Sequence, residues 1–198
     1  MLSKKQKYAI EKIELGKNVF LTGPAGSGKS YIIEKIKNIY KEYKSVYVTS
    51  STGVSAINIG GRTLHSWAGV GLGKGEPKIL IKKIKKNFKA KTRWRNVDIL
   101  VIDEISMISP SLFDKLEEIA RIMRKNNRPF GGIQLIITGD FCQLPVVKET
   151  DYCFEAKTWA KCINETISFT EIFRQKDKNH LEFIGDFEGL YKNEHILT

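Results

Sequence analysis

A mostly parallel β-sheet with helices on both faces, an α/β three-layer sandwich, is the fold class this sequence predicts. Three observations carry the prediction. Strand-like apolar runs alternate with helical patterns along the whole chain. Two of those runs, VFLTG and ILVID, are apolar at successive positions, as strands covered on both faces must be. A glycine-rich stretch also stands where the first strand gives way to a helix. Strands joined through helices pair in parallel by right-handed crossovers, so the alternation implies one layered sheet.

Taken in order, residues 3–15 have helical periodicity, and 18–22 (NVFLT) are the first strand. Residues 29–43 repeat isoleucine at helical spacing, and 45–50 (SVYVTS) read as a strand. Residues 51–71 are rich in hydroxyls and glycines around one His-x-Trp pair, and no regular element is assigned to them. The segment 74–95 carries ten Lys/Arg against one Glu. Within it, 79–88 are expected to be a helix whose apolar face holds Ile81, Ile84 and Phe88, with Lys82, Lys85 and Lys89 on another face. Strand 97–103, helix 110–124, strand 133–138, helix 156–162 and strand 166–170 complete the pattern.

The chain has 198 residues, which suits one domain of ordinary size. Its 41% apolar content includes no run near the ~20 residues of a membrane span. The charged N-terminus lacks an apolar signal core, so the protein is expected to stay inside the cell. Three cysteines, Cys142, Cys153 and Cys162, lack the spacing of a disulfide framework or a C-x-x-C metal site and are expected to be reduced structural thiols. The net charge of +11 points to a polyanionic partner, because a basic surface gains affinity by releasing phosphate counterions. The lysine-rich segment supplies most of it, either as a solvated face or as a phosphate contact.

Residues 23–30, GPAGSGKS, fit G-x-x-x-x-G-K-[ST] in the strand-to-helix context that gives the pattern meaning. The backbone amides of Gly23, Pro24, Ala25, Gly26, Ser27 and Gly28, proline excepted, are placed to wrap a β-phosphate at a helix N-terminus. Lys29 is expected to reach the β- and γ-phosphates of a nucleoside triphosphate, and Ser30 to ligate Mg²⁺. ILVIDE then places Asp103 and Glu104 at a strand end. Asp103 suits the metal through its water shell, and Glu104 suits a general base for the attacking water. Hydrolysis of a nucleoside triphosphate follows from the two together.

A third strand end is unusual. After residues 133–138 the chain reads GDFCQLP, with an acid, an aromatic, a glutamine and a proline where an ordinary turn would take small polar residues. Should that strand lie beside the two nucleotide strands, Asp140 and Gln143 approach the γ-phosphate. A neutral amide can report on a phosphate without adding charge. Phe141 and Pro145 would then touch a second ligand. The hydroxyl-rich stretch with His65 can approach a sugar-phosphate backbone, and aromatic stacking is worth roughly 1–3 kcal/mol per base, which makes single-stranded DNA or RNA that ligand. Taken alone, His65 suits a hydrogen-bonded structural role and Trp67 a core role better than a ligand contact.

The succession LSKKQKYAI, LTGPAGSGKS, TSSTGVSAINIGGRTLHSWAGVGLG, LVIDEISMIS, FGGIQLIITGDFCQLP and FRQ resembles the petite-integration-frequency (Pif-one-type) family of superfamily-one DNA helicases. The resemblance implies a RecA-like P-loop NTPase that uses ATP and Mg²⁺ to move 5′ to 3′ on single-stranded DNA. It puts Gln6 at the adenine-reading glutamine, Thr52 and Gly53 at the first DNA-contacting motif, Gln143 at the γ-phosphate glutamine, and Arg174 at an arginine completing the ATP site. The chain departs from the family at Val146, where a second proline is common. Residues 1–175 are expected to form the first motor lobe, and 176–198 to begin a connection to a second RecA-like lobe supplied from elsewhere. By itself the lobe is expected to bind ATP weakly, hydrolyse it slowly and not unwind DNA. The alternative is a nucleotide- and DNA-binding regulatory module without turnover; a P-loop kinase lacks an evident lid and acceptor pocket.

Overall fold

The computed structural model describes residues 2–141 and 151–172. Among them, six strands form one sheet: β1 (Val19–Thr22), β2 (Val46–Ser50), β3 (Arg62–Thr63), β4 (Ile99–Asp103), β5 (Gln134–Gly139) and β6 (Glu165–Ser168). Their order is β3-β2-β4-β5-β1-β6, and every neighbouring pair is parallel. Helices α1 (Lys4–Glu14) and α2 (Lys29–Tyr40) accompany the first strand, and α3 (Gly53–Asn58) and α4 (Leu64–Ala68) flank β3. Next come α5 (Pro77–Lys86), α6 (Phe88–Asn96), α7 (Pro110–Arg124) and α8 (Trp159–Cys162).

The layering follows from alternation along the central strands. Leu100 and Ile102 of β4 join a core with residues of α4 to α7, whereas Ile99 and Val101 join a second core with α1 and α2. β5 divides the same way, with Leu135 and Ile137 on one side and Ile136 on the other. A strand whose successive side chains enter opposite cores must be apolar throughout, which is why ILVI and LII read as unbroken runs. The fold is the three-layer α/β sandwich that the alternation of elements predicts.

The stretch 51–71, to which the sequence pattern assigns no regular element, contains β3, α3 and α4. Hydroxyls explain the two short helices. Thr52 N-caps α3 by accepting from the Ser55 amide at 3.2 Å, and Thr63 N-caps α4 by accepting from the Ser66 amide at 3.3 Å. Trp67 of α4 is wholly buried, its ring centroid 4.7 Å from that of Trp94.

One helix expected at 79–88 is two. Asn87 adopts an extended backbone that ends α5, and its side chain accepts from the Ala90 amide at 3.0 Å to start α6. The break rotates Phe88 off the face of Ile81 and Ile84, so those two are buried and Phe88 is 79% exposed. Leu80 takes the third core position instead. Arg93, counted with the basic segment, donates to the carbonyls of Trp67 at 2.7 Å and Ser66 at 2.9 Å, closing the last turn of α4. The helix expected at 156–162 is confined to α8, after a 3₁₀ turn at Cys153–Glu155. Asp114 of α7 leads into it, accepting from the Lys157 and Thr158 amides and the Thr158 hydroxyl. Cys153 and Cys162 are free and buried, and burial pushes the Cys162 thiol up to about 12, so both are inert structural thiols. Cys142 lies outside the described residues.

Candidate nucleotide site

Because all six strands run the same way, their C-terminal ends share one rim. The register puts Thr22 opposite both Gly139 and Ser168, and Ser50 opposite Asp103. The segments leaving that rim hold the candidate residues: 23–28 after β1, 51–53 after β2, Glu104 after β4, and Asp140 and Phe141 after β5. β5 lies between β1 and β4, so the GD stretch falls between the phosphate loop and the acidic pair. This is the adjacency on which the reading of Asp140 and Gln143 depended. Gln143, Pro145 and Arg174 themselves, with Val146, lie outside the described residues.

The glycine-rich loop has the geometry its chemistry requires. Gly23 has φ +141°, and a Cβ there would stand 2.4 Å from the Phe169 carbonyl oxygen, so both conformation and space demand glycine. Gly28 opens α2 in the left-handed region at φ 89°, without a capping side chain, which leaves the first amides of α2 available to an anion. Pro24, Ala25 and Gly26 are exposed, whereas Ser27 is buried. The Lys29 ammonium donates to the carbonyls of Gly23 and Pro24, the latter at 3.0 Å, and so lies across the loop it belongs to. Ser30 is exposed at the second position of α2.

Asp103 is 7% exposed and held from two sides. Its carbonyl accepts from the Ser51 amide at 3.2 Å and the Ser50 hydroxyl at 3.4 Å, while its Oδ1 accepts from the Thr138 hydroxyl. Glu104 takes φ 56° and ψ 48°, a left-handed conformation uncommon outside glycine and enriched where backbone strain serves a site. Its carboxyl is held above its ordinary value, first by burial, then by Asp103 and Asp140, with Lys29 opposing them. Charged groups from the segments at the ends of β1, β4 and β5 therefore act together on Glu104. The pair does not serve as a helix cap: Glu104 makes no capping bond, and Ser109 caps α7 by accepting from the Leu112 amide at 3.3 Å.

The residues proposed to touch nucleic acid are differently engaged. Thr52 accepts a capping bond and keeps its hydroxyl proton to donate, and Gly53 is exposed. His65 is half-buried, and burial lowers its pKa, so it is neutral at physiological pH. Phe141 is partly buried in an aromatic cluster, its ring centroid 5.4 Å from that of Phe20 and 4.9 Å from that of Phe154. Gln6 is buried in a capping box in which its side-chain oxygen accepts from the Ser3 amide at 3.0 Å. S-x-x-Q at residues 3–6 is the sequence signal for that box, and reading the glutamine only for a nucleobase passes over it. Thr138 is the site residue that sequence reasoning missed; its one signal is a hydroxyl at the end of an otherwise apolar strand.

The oxygen donors present fit Mg²⁺. A hydroxyl and a buried carboxylate suit a small hard cation that keeps most of its water and takes further oxygens from phosphates. Among the described residues no group of three or more His, Cys, Asp or Glu is placed to cage a metal, and a metal bound in this way does not need one.

Sheet order, glycine loop and acidic strand end together define a P-loop NTPase lobe of RecA-like fold. Within that class the chain belongs to the PIF1-like helicase family, whose profile matches residues 1–189. It is 50% identical over 192 residues to the ATP-dependent DNA helicase PIF1 of Emericella nidulans, covering 91% of this chain and 26% of that protein. Its fold matches the crystal structure of Pif1 helicase from Candida albicans with a TM-score of 0.84 and 51% identity, over 94% of this chain and 43% of the other. It also matches Bacteroides Pif1 in complex with ADP-AlF3 and single-stranded DNA with a TM-score of 0.71 and 27% identity, over 96% of this chain and 46% of the other. The chain thus spans about a quarter of the curated relative and under half of either solved chain.

Proposed function

We propose that the chain is the ATP-hydrolysing motor lobe of a 5′-to-3′ DNA helicase, acting on single-stranded DNA together with a second RecA-like lobe. The observation that carries this reading is the meeting of Lys29, Asp103, Glu104 and Asp140 on one rim, with the phosphate loop on one side of β5 and the acidic pair on the other. Supporting it, the Emericella nidulans relative is named an ATP-dependent DNA helicase, and the Bacteroides protein was solved with both a nucleotide–fluoroaluminate complex and single-stranded DNA.

In this reading the amides of 23–28 bind the phosphates, and Lys29 exchanges its bonds to the Gly23 and Pro24 carbonyls for phosphate oxygens. Ser30 and Asp103 hold the Mg²⁺, which when bound neutralises charge on the transferring phosphoryl group. Glu104 takes the proton of the attacking water. Gln6 reads the base with the amide nitrogen that its capping box leaves over. Gln143 senses the γ-phosphate, and Arg174 stabilises the charge spread over it. Thr52, Gly53, His65, Phe141 and Pro145 face the DNA strand.

ATP hydrolysis measured with and without single-stranded DNA, beside Lys29→Ala, tests the reading. Turnover that DNA stimulates and the substitution removes is the expected result. DNA binding without turnover would make the chain a binding module, and turnover untouched by Lys29→Ala would end the assignment of the loop.

A further inference from the structure

We propose that Thr138 is a positioning residue of the nucleotide site, locking the Asp103 carboxylate so that one oxygen is held by the protein and the other is left to the metal's water shell. The inference rests on the reading of Asp103 given above and adds to it a residue which that reading does not contain.

Thr138 is wholly buried in β5, paired with Leu21 of β1 on one side. On the other side the β4 register ends at Ile102 opposite Ile137, which brings residue 138 beside Asp103. A hydroxyl buried in a central strand costs free energy unless its proton finds an acceptor. Here the acceptor is Oδ1 of Asp103. A hydroxyl bonded to a carboxylate is a strong, charge-assisted contact. The main chain of Asp103 is fixed from β2 through Ser50 and Ser51. The remaining freedom is rotation of the carboxylate, whose terminal torsion is intrinsically broad. Thr138 removes that freedom from the opposite strand. Threonine suits the duty better than serine because its branched Cβ stiffens χ1 and so aims the hydroxyl.

The test is metal affinity, read by electron paramagnetic resonance with Mn²⁺ standing in for Mg²⁺ in the presence of a non-hydrolysable ATP analogue. Thr138→Val, which keeps shape and removes the donor, is expected to weaken Mn²⁺ binding about 10-fold, the lower end of the loss seen when a partner of a metal ligand is removed. Affinity for the metal-free nucleotide should stay unchanged, which a general loosening of the fold would not allow. Thr138→Ser should restore most of the metal affinity. Asp103→Asn is the reference. If it weakens Mn²⁺ and Thr138→Val does not, the positioning role is overturned while the site stands. If neither does, the assignment of Asp103 falls first. Should the valine variant fail to fold, Thr138→Cys, of similar size but a weak donor, replaces it, and unchanged Mn²⁺ affinity there overturns the proposal.

Discussion

Glu104 has the setting that the proposed general-base role requires. Its backbone leaves the extended conformation of β4 for the left-handed region, and burial, with Asp103 and Asp140 nearby, raises its pKa. A general base works best when its pKa lies nearer the working pH, and this displacement runs that way. Only the deprotonated form accepts a proton, so the acid limb of the hydrolysis profile should lie above the ordinary carboxylate range. Glu104→Gln should lower turnover by roughly 10²- to 10⁴-fold while nucleotide binding persists, measured as hydrolysis rate beside equilibrium binding. Stability moves the other way. The folded state holds this proton more tightly than the unfolded chain, so the contribution is most favourable at low pH and is lost as pH rises through the raised pKa. The same variant should therefore melt at a higher temperature than the wild type at neutral pH, and equal melting would contradict the burial argument.

Among elements, the pair α5 and α6 depends on side chains rather than on helix propensity. Asn87 ends one helix and caps the next. The last turn of α6 is closed from α7 by Arg124, whose guanidinium donates to the carbonyls of Trp94 at 3.2 Å, Arg95 at 3.1 Å and Val97 at 2.8 Å, and to Gly131 at 2.8 Å. One planar fork thus joins the basic segment, the start of β4 and the turn before β5. A lysine cannot reproduce that geometry. Arg124→Lys should destabilise the fold by ~2–3 kcal/mol, read as a lower urea midpoint with an unchanged slope. A change below ~0.5 kcal/mol would mean that the carbonyls are satisfied by water instead.

Across the whole molecule, charge and topology lie in different places. Among the described residues no helix is long and apolar enough to cross a membrane, and the net charge of +11 is a surface property. Lys82, Lys85, Lys86 and Lys89 are exposed on α5 and α6, whereas Arg93 of the same run is committed to the α4 carbonyls. If the exposed lysines neutralise DNA phosphates, changing those four to glutamine should flatten the slope of log affinity against log salt by up to about 3 for a single strand. A slope that does not move would leave them as a solvated face.

What the residues determined by themselves was the local chemistry and the layer plan. GPAGSGKS after an apolar strand, ILVIDE at another, and strict alternation of strands and helices each follow from short-range rules of backbone, phosphate and burial. Tertiary structure decided which strand ends become neighbours. Sheet order is a long-range outcome, and only that order sets β5 between β1 and β4, brings Asp140 into the field of Glu104, and places the Thr138 hydroxyl on Asp103. It also turned Phe88 outward through one capping asparagine and drew Arg93 inward to a helix end, because a side chain's role is settled by the unsatisfied groups within its reach. Sequence distance does not encode that reach.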